Sequence, residues 1–308
     1  MTAFDAYCEL QGMLDGSIYC DELMARHTSF RIGGPADLFI ECASIRDLNR
    51  VLEVLAAYRL PWTAFGKGSN ILVHDEGFRG AVLTLGTEFK SFSLPDASLQ
   101  QHTLVAGCGV LLSNLVQAAY KNGLSGLEFA VGIPGTLGGA LFMNAGSGKE
   151  WIGSIVESLT VLRPGEGLVR MQGSDLPWQY RSSGLASNNI IVESSLRVTP
   201  GHVGQIRARM EALRRKRNKT QPLTKPSAGS VFRNPENDSA GRMIEALGLK
   251  GFTIGGAQVS EMHANFIINT GTGTAEDVIA IIRYIRQRAK EEYGAELKPE
   301  IRFIGFDT

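Results

Sequence analysis

The chain has 308 residues, 44% of them hydrophobic and 20% charged, so it is long enough for two or three compact units and is not a disordered protein. Lysine plus arginine and aspartate plus glutamate balance at 31 each, which disfavours a nucleic-acid binder. The 4 cysteines are widely separated, without a CxxC pair or a cysteine–histidine cluster. We therefore expect reduced thiols and no structural zinc, iron–sulfur cluster or other metal.

The N-terminal sequence lacks a basic leader followed by an apolar core, and the apolar runs are too short to cross a membrane. We therefore expect a soluble cytoplasmic protein that does not bind membranes. The sequence carries no signal for assembly, and a monomer is the simplest expectation.

Hydrophobic periodicity predicts a mixture of helices and strands. Residues 1–25 look helical and then loop-like, and composition shifts near residues 85 and 200 suggest segments 1–85, 86–200 and 201–308. In chain order, the predicted elements after residue 25 are strands at 36–42, 62–64 and 71–73 around a helix at 45–58, a helix at 109–122, strands at 154–161, 167–171 and 189–198, helices at 203–218 and 241–247, a strand around 264–269, a helix at 275–293 and a strand near 301–304.

Two glycine-rich runs stand out: GKGSN at Gly66–Asn70 and GIPGTLGGALFMNAG at Gly132–Gly146. Neither is a P-loop, and neither has the dinucleotide fingerprint of a Rossmann fold. Glycines let successive main-chain N–H groups turn toward one anion, so both runs suit a dinucleotide pyrophosphate. The alternative is that these glycines serve only tight turns and close packing.

The two runs also contain side chains that suit a nucleotide with a flat ring. Ser69, Asn70 and Thr136 add hydrogen-bond donors, and Pro134 stiffens its loop. Asn144 could bond a ring edge. The candidate cofactor-binding residues are Gly66, Lys67, Gly68, Ser69, Asn70, Gly132, Ile133, Pro134, Gly135, Thr136, Gly139, Ala140, Asn144 and Gly146.

Three polar residues are candidates for chemistry. Ser230 lies in AGSVFRNP, which is not the GxSxG of a hydrolase, so a proton-donating or hydrogen-bonding hydroxyl fits better than a nucleophile. Arg181, in WQYRSSG, has the fork geometry that suits a carboxylate or phosphate. Glu300, in LKPEIRFIG, could point into a cleft. A turn serine, a surface arginine and a strand-end acid remain the alternatives.

Two further features have simpler interpretations. The basic stretch RRKRNK at 214–219 reads as a solvated helix face, with a nearby nucleotide-diphosphate site as the alternative. His263 has no partner at metal-ligand spacing and reads as a structural residue that supports its neighbours.

The order of these motifs resembles the UDP-N-acetylenolpyruvoylglucosamine reductase (MurB) family. The resemblance runs through nearly the whole chain after the first 25 residues. The matching strings are HTSFRIGGPAD (27–37), GKGSN, GIPGTLGGALFMNAG, YRSSG, AGSVFRNP, AGRMIEALGLKG (240–251), GGAQVSEMHANFIIN (255–269) and LKPEIRFIG (297–305). Within the family the chain resembles the shorter type, which lacks a tyrosine-bearing insertion in the substrate region.

This resemblance implies an α+β fold of the vanillyl-alcohol-oxidase (PCMH) type. Segments 1–85 and 86–200 would be two subdomains that clasp FAD, and segment 201–308 would be a C-terminal α/β substrate domain. The implied cofactor is FAD, held non-covalently because neither glycine run contains histidine or cysteine, with NADPH as reductant and a UDP-sugar as substrate.

The resemblance also implies roles for single residues. Arg181, Ser230 and Glu300 match the catalytic positions, and Arg181 and Asn234 would contact the substrate. Two other functions stay open: an alcohol or sugar oxidase of the same fold, and a non-enzymatic module that senses UDP-sugars.

Overall fold

The computed structural model describes residues 2–95 and 102–306, and the chain forms two compact units. Unit 1 comprises residues 1–20, 38–67 and 80–216, and unit 2 comprises residues 21–37, 68–79 and 217–308. Neither unit is a continuous stretch of sequence. The division into 1–85, 86–200 and 201–308 stays a prediction.

The helices and strands of the described residues are named here in chain order. The helices are α1 (Ala3–Leu10), α2 (Ile45–Ala57), α3 (Leu112–Lys121), α4 (Leu137–Phe142), α5 (Val203–Thr220), α6 (Ala240–Ala246) and α7 (Ala275–Tyr293). The strands are β1 (Ser17–Leu23), β2 (Pro35–Cys42), β3 (Trp62–Phe65), β4 (Ile71–Val73), β5 (Phe78–Leu85), β6 (Phe92–Ser93), β7 (Thr103–Gly107), β8 (Leu124–Ser125), β9 (Gly146–Ser147), β10 (Glu150–Trp151), β11 (Val156–Arg163), β12 (Gly167–Gln172), β13 (Ile190–Arg197), β14 (Thr199–Pro200), β15 (Thr253–Ile254), β16 (Ala257–Val259), β17 (Ile267–Asn269) and β18 (Arg302–Ile304). Among these described helices, none combines the length and the apolar character needed to cross a bilayer.

Most predicted elements are present, and α7 has the predicted bounds. Its ends carry strong local signals: Thr274 and Asp277 form a capping box, and Gly294 ends the helix with a left-handed φ of 62°. Other elements have bounds that differ from the prediction. The predicted strand around 264–269 is shortened to β17, because the residues before it form a turn in which Phe266 N–H donates to the His263 carbonyl at 2.9 Å.

Two predictions about local structure are wrong. The loop-like stretch after α1 contains β1, whose residues are mostly exposed and therefore lack an alternating apolar pattern. The glycine-rich run contains the short helix α4. Its two glycines have a low helix propensity, so the sequence does not indicate a helix there. In both cases the pairing or capping of the main chain, rather than side-chain periodicity, supports the element.

Unit 1 is built on two sheets, each with its own core. A four-stranded sheet of order β1-β2-β5-β3, most of which lies in unit 1, packs with α1 and α2 around a core that includes Leu38, Leu48 and Leu55. A five-stranded antiparallel sheet of order β12-β11-β13-β7-β6 packs with α3 and α4 around a second core that includes Leu115 and Leu159. The apolar faces of the helices and strands of unit 1 thus enclose two separate hydrophobic cores.

Unit 2 is smaller and has one core. A three-stranded antiparallel sheet of order β15-β16-β17 packs against α7, whose buried face includes Ile281 and Ile285. The strands β4 and β18 pair in parallel. Phe30 and Phe232, both fully or almost fully buried, complete this core.

Candidate functional site

Two glycine-rich loops meet at Thr136 in unit 1. A methyl group placed on Gly66 would collide with the Thr136 hydroxyl oxygen, so the main chain of the first run lies in contact with that side chain. A methyl group on Gly139 would lie 3.5 Å from the same oxygen. Both glycines are exposed. The structure therefore brings the two predicted runs together at Thr136, and the exposed glycines on either side of it carry no side chain.

The longer glycine run is half loop and half helix. Residues 132–136 form the loop, and Thr136 caps α4 by accepting the Gly139 N–H on its hydroxyl oxygen at 3.3 Å. Gly138 instead faces inward: its N–H donates to the Cys108 carbonyl at 2.9 Å, and a β-carbon there would lie 3.1 Å from Cys108. Gly138 therefore serves close packing, as the alternative interpretation of the run expects, whereas cofactor binding by the run stays a prediction.

The candidate cofactor-binding residues differ in exposure. The exposed ones, which a ligand reaches directly, are Gly66, Lys67, Gly132, Pro134 and Gly139. The half-buried ones are Ser69, Asn70, Ile133, Gly135, Thr136 and Gly146. The buried ones are Gly68, Ala140 and Asn144.

The end of the GKGSN run belongs to unit 2, where Asn70 is bonded to the segment that carries Glu300. The Asn70 Nδ2 donates to the Glu300 carbonyl at 3.2 Å, and the Asn70 carbonyl accepts the Arg302 N–H at 2.9 Å. The parallel strands β4 and β18 begin directly afterwards, with Ile71 opposite Arg302. Asn70 and Glu300 therefore lie at the same end of this strand pair.

Ser230 and Glu300 lie on adjacent extended segments of unit 2. Ser230 forms an antiparallel bridge with Phe266, and the carbonyl of the next residue, Val231, accepts the Glu300 N–H at 2.7 Å. Ser230 is half-buried, whereas Glu300 is only 9% exposed. The predicted hydroxyl and carboxylate are thus held by one rigid hydrogen-bonded framework, although they are distant in sequence.

Asn265 and His263 support the Ser230 segment from its other side. The Asn265 carbonyl accepts the Val231 N–H at 2.8 Å, and the Asn265 N–H donates to His263 Nδ1 at 3.2 Å. Burial, reinforced by the Lys250 cation, lowers the pKa of His263 below its usual 6.5, which favours the neutral ring that an acceptor at Nδ1 requires. This agrees with the predicted structural role of His263. Asn265 could not be predicted from the sequence, because its contacts with Phe232 are non-local.

Arg181 occupies a tight turn of unit 1 between β12 and β13. Gln179 and Ser182 exchange main-chain hydrogen bonds of 2.9 and 3.1 Å around it, and Arg181 itself has a φ of 57°. Its guanidinium carbon lies 5.1 Å from the centre of the Tyr180 ring, a cation–π contact. The arginine predicted to bind an anion is therefore presented by a defined turn of unit 1, whereas Ser230 and Glu300 belong to unit 2.

Three more polar residues of unit 2 could meet a ligand. Asn234 is exposed, and its Oδ1 accepts the Ala240 N–H at 3.1 Å at the start of α6. At the end of α5, Arg217 Nε and Gln221 Oε1 are buried without a hydrogen-bond partner among the described residues. Buried polar atoms of this kind are costly unless a water or ligand satisfies them. In the sequence, Arg217 stands out only as part of the basic stretch, and no pattern distinguishes Gln221.

Two other kinds of chemistry receive no support. Burial raises the pKa of the Cys42 thiol to about 12 and also raises that of Cys108, so neither is a nucleophile near neutral pH. Within residues 2–95 and 102–306, no group of three or more His, Cys, Asp and Glu side chains could hold a metal ion.

Comparisons with known proteins agree with this arrangement. The family model of the FAD binding domain matches residues 36–171, and that of the UDP-N-acetylenolpyruvoylglucosamine reductase C-terminal domain matches residues 221–304. These matches confirm the predicted α+β FAD-binding fold with a C-terminal domain, and they identify FAD as the cofactor of an oxidoreductase.

Individual relatives cover almost the whole chain. The UDP-N-acetylenolpyruvoylglucosamine reductase of Anoxybacillus flavithermus is 41% identical over 292 residues, which is 94% of this chain and 95% of that protein. The enzyme of the same name from Syntrophomonas wolfei is 41% identical over 289 residues, with the same coverage. The crystal structure of MurB from Thermus caldophilus aligns with a TM-score of 0.82 at 34% identity and covers 94% of this chain and 99% of that one. The chain therefore belongs to the UDP-N-acetylenolpyruvoylglucosamine reductase family.

Proposed function

We propose that this chain reduces the enolpyruvyl group of UDP-N-acetylglucosamine enolpyruvate to give UDP-N-acetylmuramate, with NADPH as the reductant. The reaction would serve peptidoglycan precursor synthesis in the cytoplasm, and the protein would act as a monomer on small molecules. The observation that carries the proposal is the framework that joins Ser230 and Glu300, in which Glu300 N–H donates to the Val231 carbonyl at 2.7 Å.

FAD would be held non-covalently by the candidate cofactor-binding residues other than Asn144, whose carboxamide is already bonded to the protein, with the exposed glycines around Thr136 against its pyrophosphate. The exposed Gly139 supports this, because a β-carbon there would meet only the Thr136 oxygen and would otherwise project into the space that an anion needs. Bound FAD would supply the hydride, accepted from NADPH and passed to the terminal vinyl carbon of the substrate.

Arg181 would bind the substrate carboxylate. When hydride reaches the terminal carbon, negative charge develops on the neighbouring carbon and spreads into the carboxylate as an enolate. A guanidinium that is already oriented stabilises that charge more in the transition state than in the ground state. The turn from Gln179 to Ser182 and the Tyr180 ring provide this orientation.

Ser230 would donate the proton that completes the reduction. A serine hydroxyl is a weak acid in water, but the carbanionic centre is strongly basic, so placement matters more than acidity. The bridge from Ser230 to Phe266 supports this role, because it fixes the main chain that carries the hydroxyl. Glu300, which is buried and whose N–H donates to the Val231 carbonyl, would orient the enolic form of the substrate.

The rest of the substrate would bind to polar groups of unit 2. Asn234 is exposed four residues after Ser230 and would donate its amide to the substrate. Arg217 and Gln221 have buried polar atoms without a partner in the described chain, and a nucleotide phosphate or base would satisfy them.

The visible spectrum of the purified protein tests this proposal. We expect flavin absorption that NADPH bleaches without oxygen and that the enolpyruvyl UDP-sugar restores in stoichiometric amount. Rapid reoxidation by oxygen, with no response to the UDP-sugar, would indicate an oxidase instead. A colourless protein that refuses added FAD but binds UDP-sugars would indicate a sensing module. Either result would overturn the proposal.

A further inference from the structure

The turn that carries Arg181 has an unfavourable main-chain conformation. Arg181 is the third residue of the four-residue turn from Gln179 to Ser182, and its φ of 57° lies in the left-handed region. Glycine usually takes such a position, and a residue with a β-carbon costs about 1–2 kcal/mol there. The surrounding structure must therefore impose the conformation.

Asn144, at the end of the glycine-rich run, is bonded to this turn. Its side chain is 5% exposed, its Nδ2 donates to the Gln179 carbonyl at 2.9 Å, and its Oδ1 accepts the Gly153 N–H at 3.0 Å. The main chain adds a second tie, because Ser183 N–H donates to the Phe142 carbonyl at 3.2 Å. The first residue of the turn is thus bonded to Asn144, just after α4, and the residue that follows the turn is bonded to Phe142, the last residue of α4.

Trp178 and Gly153 leave Asn144 little freedom to move. The Trp178 ring N–H donates to the Gly173 carbonyl at 2.8 Å, which fixes the residue before the turn. A β-carbon on Gly153 would lie 2.5 Å from Cδ2 of Trp178 and 2.9 Å from Oδ1 of Asn144. Gly153 therefore allows the indole ring and the carboxamide to pack against one main-chain position.

We propose that Asn144 is a positioning residue for Arg181. By holding the Gln179 carbonyl, it fixes the main chain two residues before the arginine, so that the guanidinium points in one direction. This differs from the prediction that Asn144 bonds the edge of the cofactor ring, because both polar atoms of its carboxamide already have protein partners. The proposal rests on the proposed function of Arg181 as the residue that binds the substrate carboxylate.

Asn144→Asp tests the proposal, because a carboxylate still accepts the Gly153 N–H but cannot donate to Gln179. We expect kcat/KM for the enolpyruvyl UDP-sugar to fall about 10- to 100-fold, since small misplacements of a positioning group cost this much. FAD affinity and the rate at which NADPH bleaches the flavin should not change. The matched control is Asn122→Asp, because Asn122 is exposed and its Nδ2 likewise donates to a main-chain carbonyl, that of Ala118, at 2.8 Å.

A double-mutant cycle with Arg181→Lys separates positioning from an independent effect. If Asn144 acts through Arg181, the double variant N144D/R181K will be no slower with the UDP-sugar than R181K alone. Multiplicative losses would overturn the proposal, and so would a loss of FAD affinity in N144D. Trp178→Phe, which removes the bond to Gly173 and part of the indole packing beside Gly153, should give a smaller effect of the same pattern and serves if N144D does not fold.

The failure of this inference is distinguishable from the failure of the proposed function. If R181K itself reduces the enolpyruvyl substrate at the wild-type rate, the proposed role of Arg181 is wrong whatever N144D does. If R181K is impaired and N144D is not, Arg181 keeps its proposed role and the positioning inference is wrong.

Discussion

Asn265 holds Phe232 by both of its main-chain polar groups: Asn265 Oδ1 accepts the Phe232 N–H at 2.9 Å, and Asn265 Nδ2 donates to the Phe232 carbonyl at 2.8 Å. A side-chain amide thus takes the place of a peptide in a neighbouring strand. Ser230 lies two residues before Phe232 and Asn234 two residues after it. The conformation of both candidate site residues therefore depends on one buried carboxamide.

Replacing Asn265 with alanine should destabilise the protein. The change would leave the buried N–H and carbonyl of Phe232 without partners, and each orphaned group costs about 1–3 kcal/mol. We expect the free energy of unfolding, measured by urea denaturation at pH 7, to fall by about 2–4 kcal/mol. Asn114→Ala, at an exposed position of α3, should change it by less than about 0.5 kcal/mol. Equal effects of the two substitutions would show that the two hydrogen bonds from Asn265 to Phe232 contribute nothing to stability.

The neutral state of His263 predicts a pH dependence of stability. Because its pKa is lowered in the folded state, the unfolded chain binds the proton more readily, so the stability that is present above pH 6.5 is lost as the pH falls through the folded pKa. His263→Asn keeps an acceptor near the Asn265 N–H but does not titrate. We expect the free energy of unfolding of the wild type to fall more steeply than that of H263N between pH 6.5 and the acid range where carboxylates titrate. Parallel pH profiles would contradict this assignment.

Gly139→Ala should weaken FAD binding without weakening the protein. The added methyl group meets the Thr136 oxygen at an ordinary 3.5 Å, so the fold accepts it, and alanine favours the helix by up to about 1 kcal/mol. The methyl would nevertheless project from the exposed surface proposed for the pyrophosphate.

We expect titration of the G139A apoprotein with FAD to give a dissociation constant at least about tenfold higher, since a 1.4 kcal/mol steric penalty has that effect. Gly204→Ala, also at an exposed helical glycine, should leave FAD binding unchanged. Unchanged affinity in G139A would place the cofactor elsewhere.

The sequence predicts those parts of the structure that local signals determine. The capping box of Thr274 and Asp277 with the terminal Gly294 defines α7, and the order of the motifs identifies the family. The clamp of Asn265 on Phe232 and the tie of Asn144 to Gln179 join residues far apart in sequence. Neither has a local pattern, because asparagine serves turns, caps and loops equally well.

The candidate site residues show the same difference between local sequence signals and non-local contacts. Their residue types can be proposed from the sequence, because phosphate cradles need glycine and a carboxylate needs a cation. The hydrogen bonds and strand pairing that hold these residues in place could not be predicted from the sequence. Arg181 lies on a strained turn whose conformation depends on a buried asparagine, and Asn70 contacts Glu300 only because β4 and β18 pair in parallel.

The central claim, that Ser230 protonates a reduced enolpyruvyl group, is tested most directly by the two half-reactions of Ser230→Ala followed in an anaerobic stopped-flow spectrometer. We predict that NADPH bleaches the flavin of S230A at the wild-type rate, whereas reoxidation by the enolpyruvyl UDP-sugar slows by about 10²–10⁴-fold, the usual effect of losing a general acid. Ser174→Ala, at an exposed serine of unit 1, should leave both rates unchanged. Wild-type reoxidation in S230A, or an equal collapse of both half-reactions, would contradict the account.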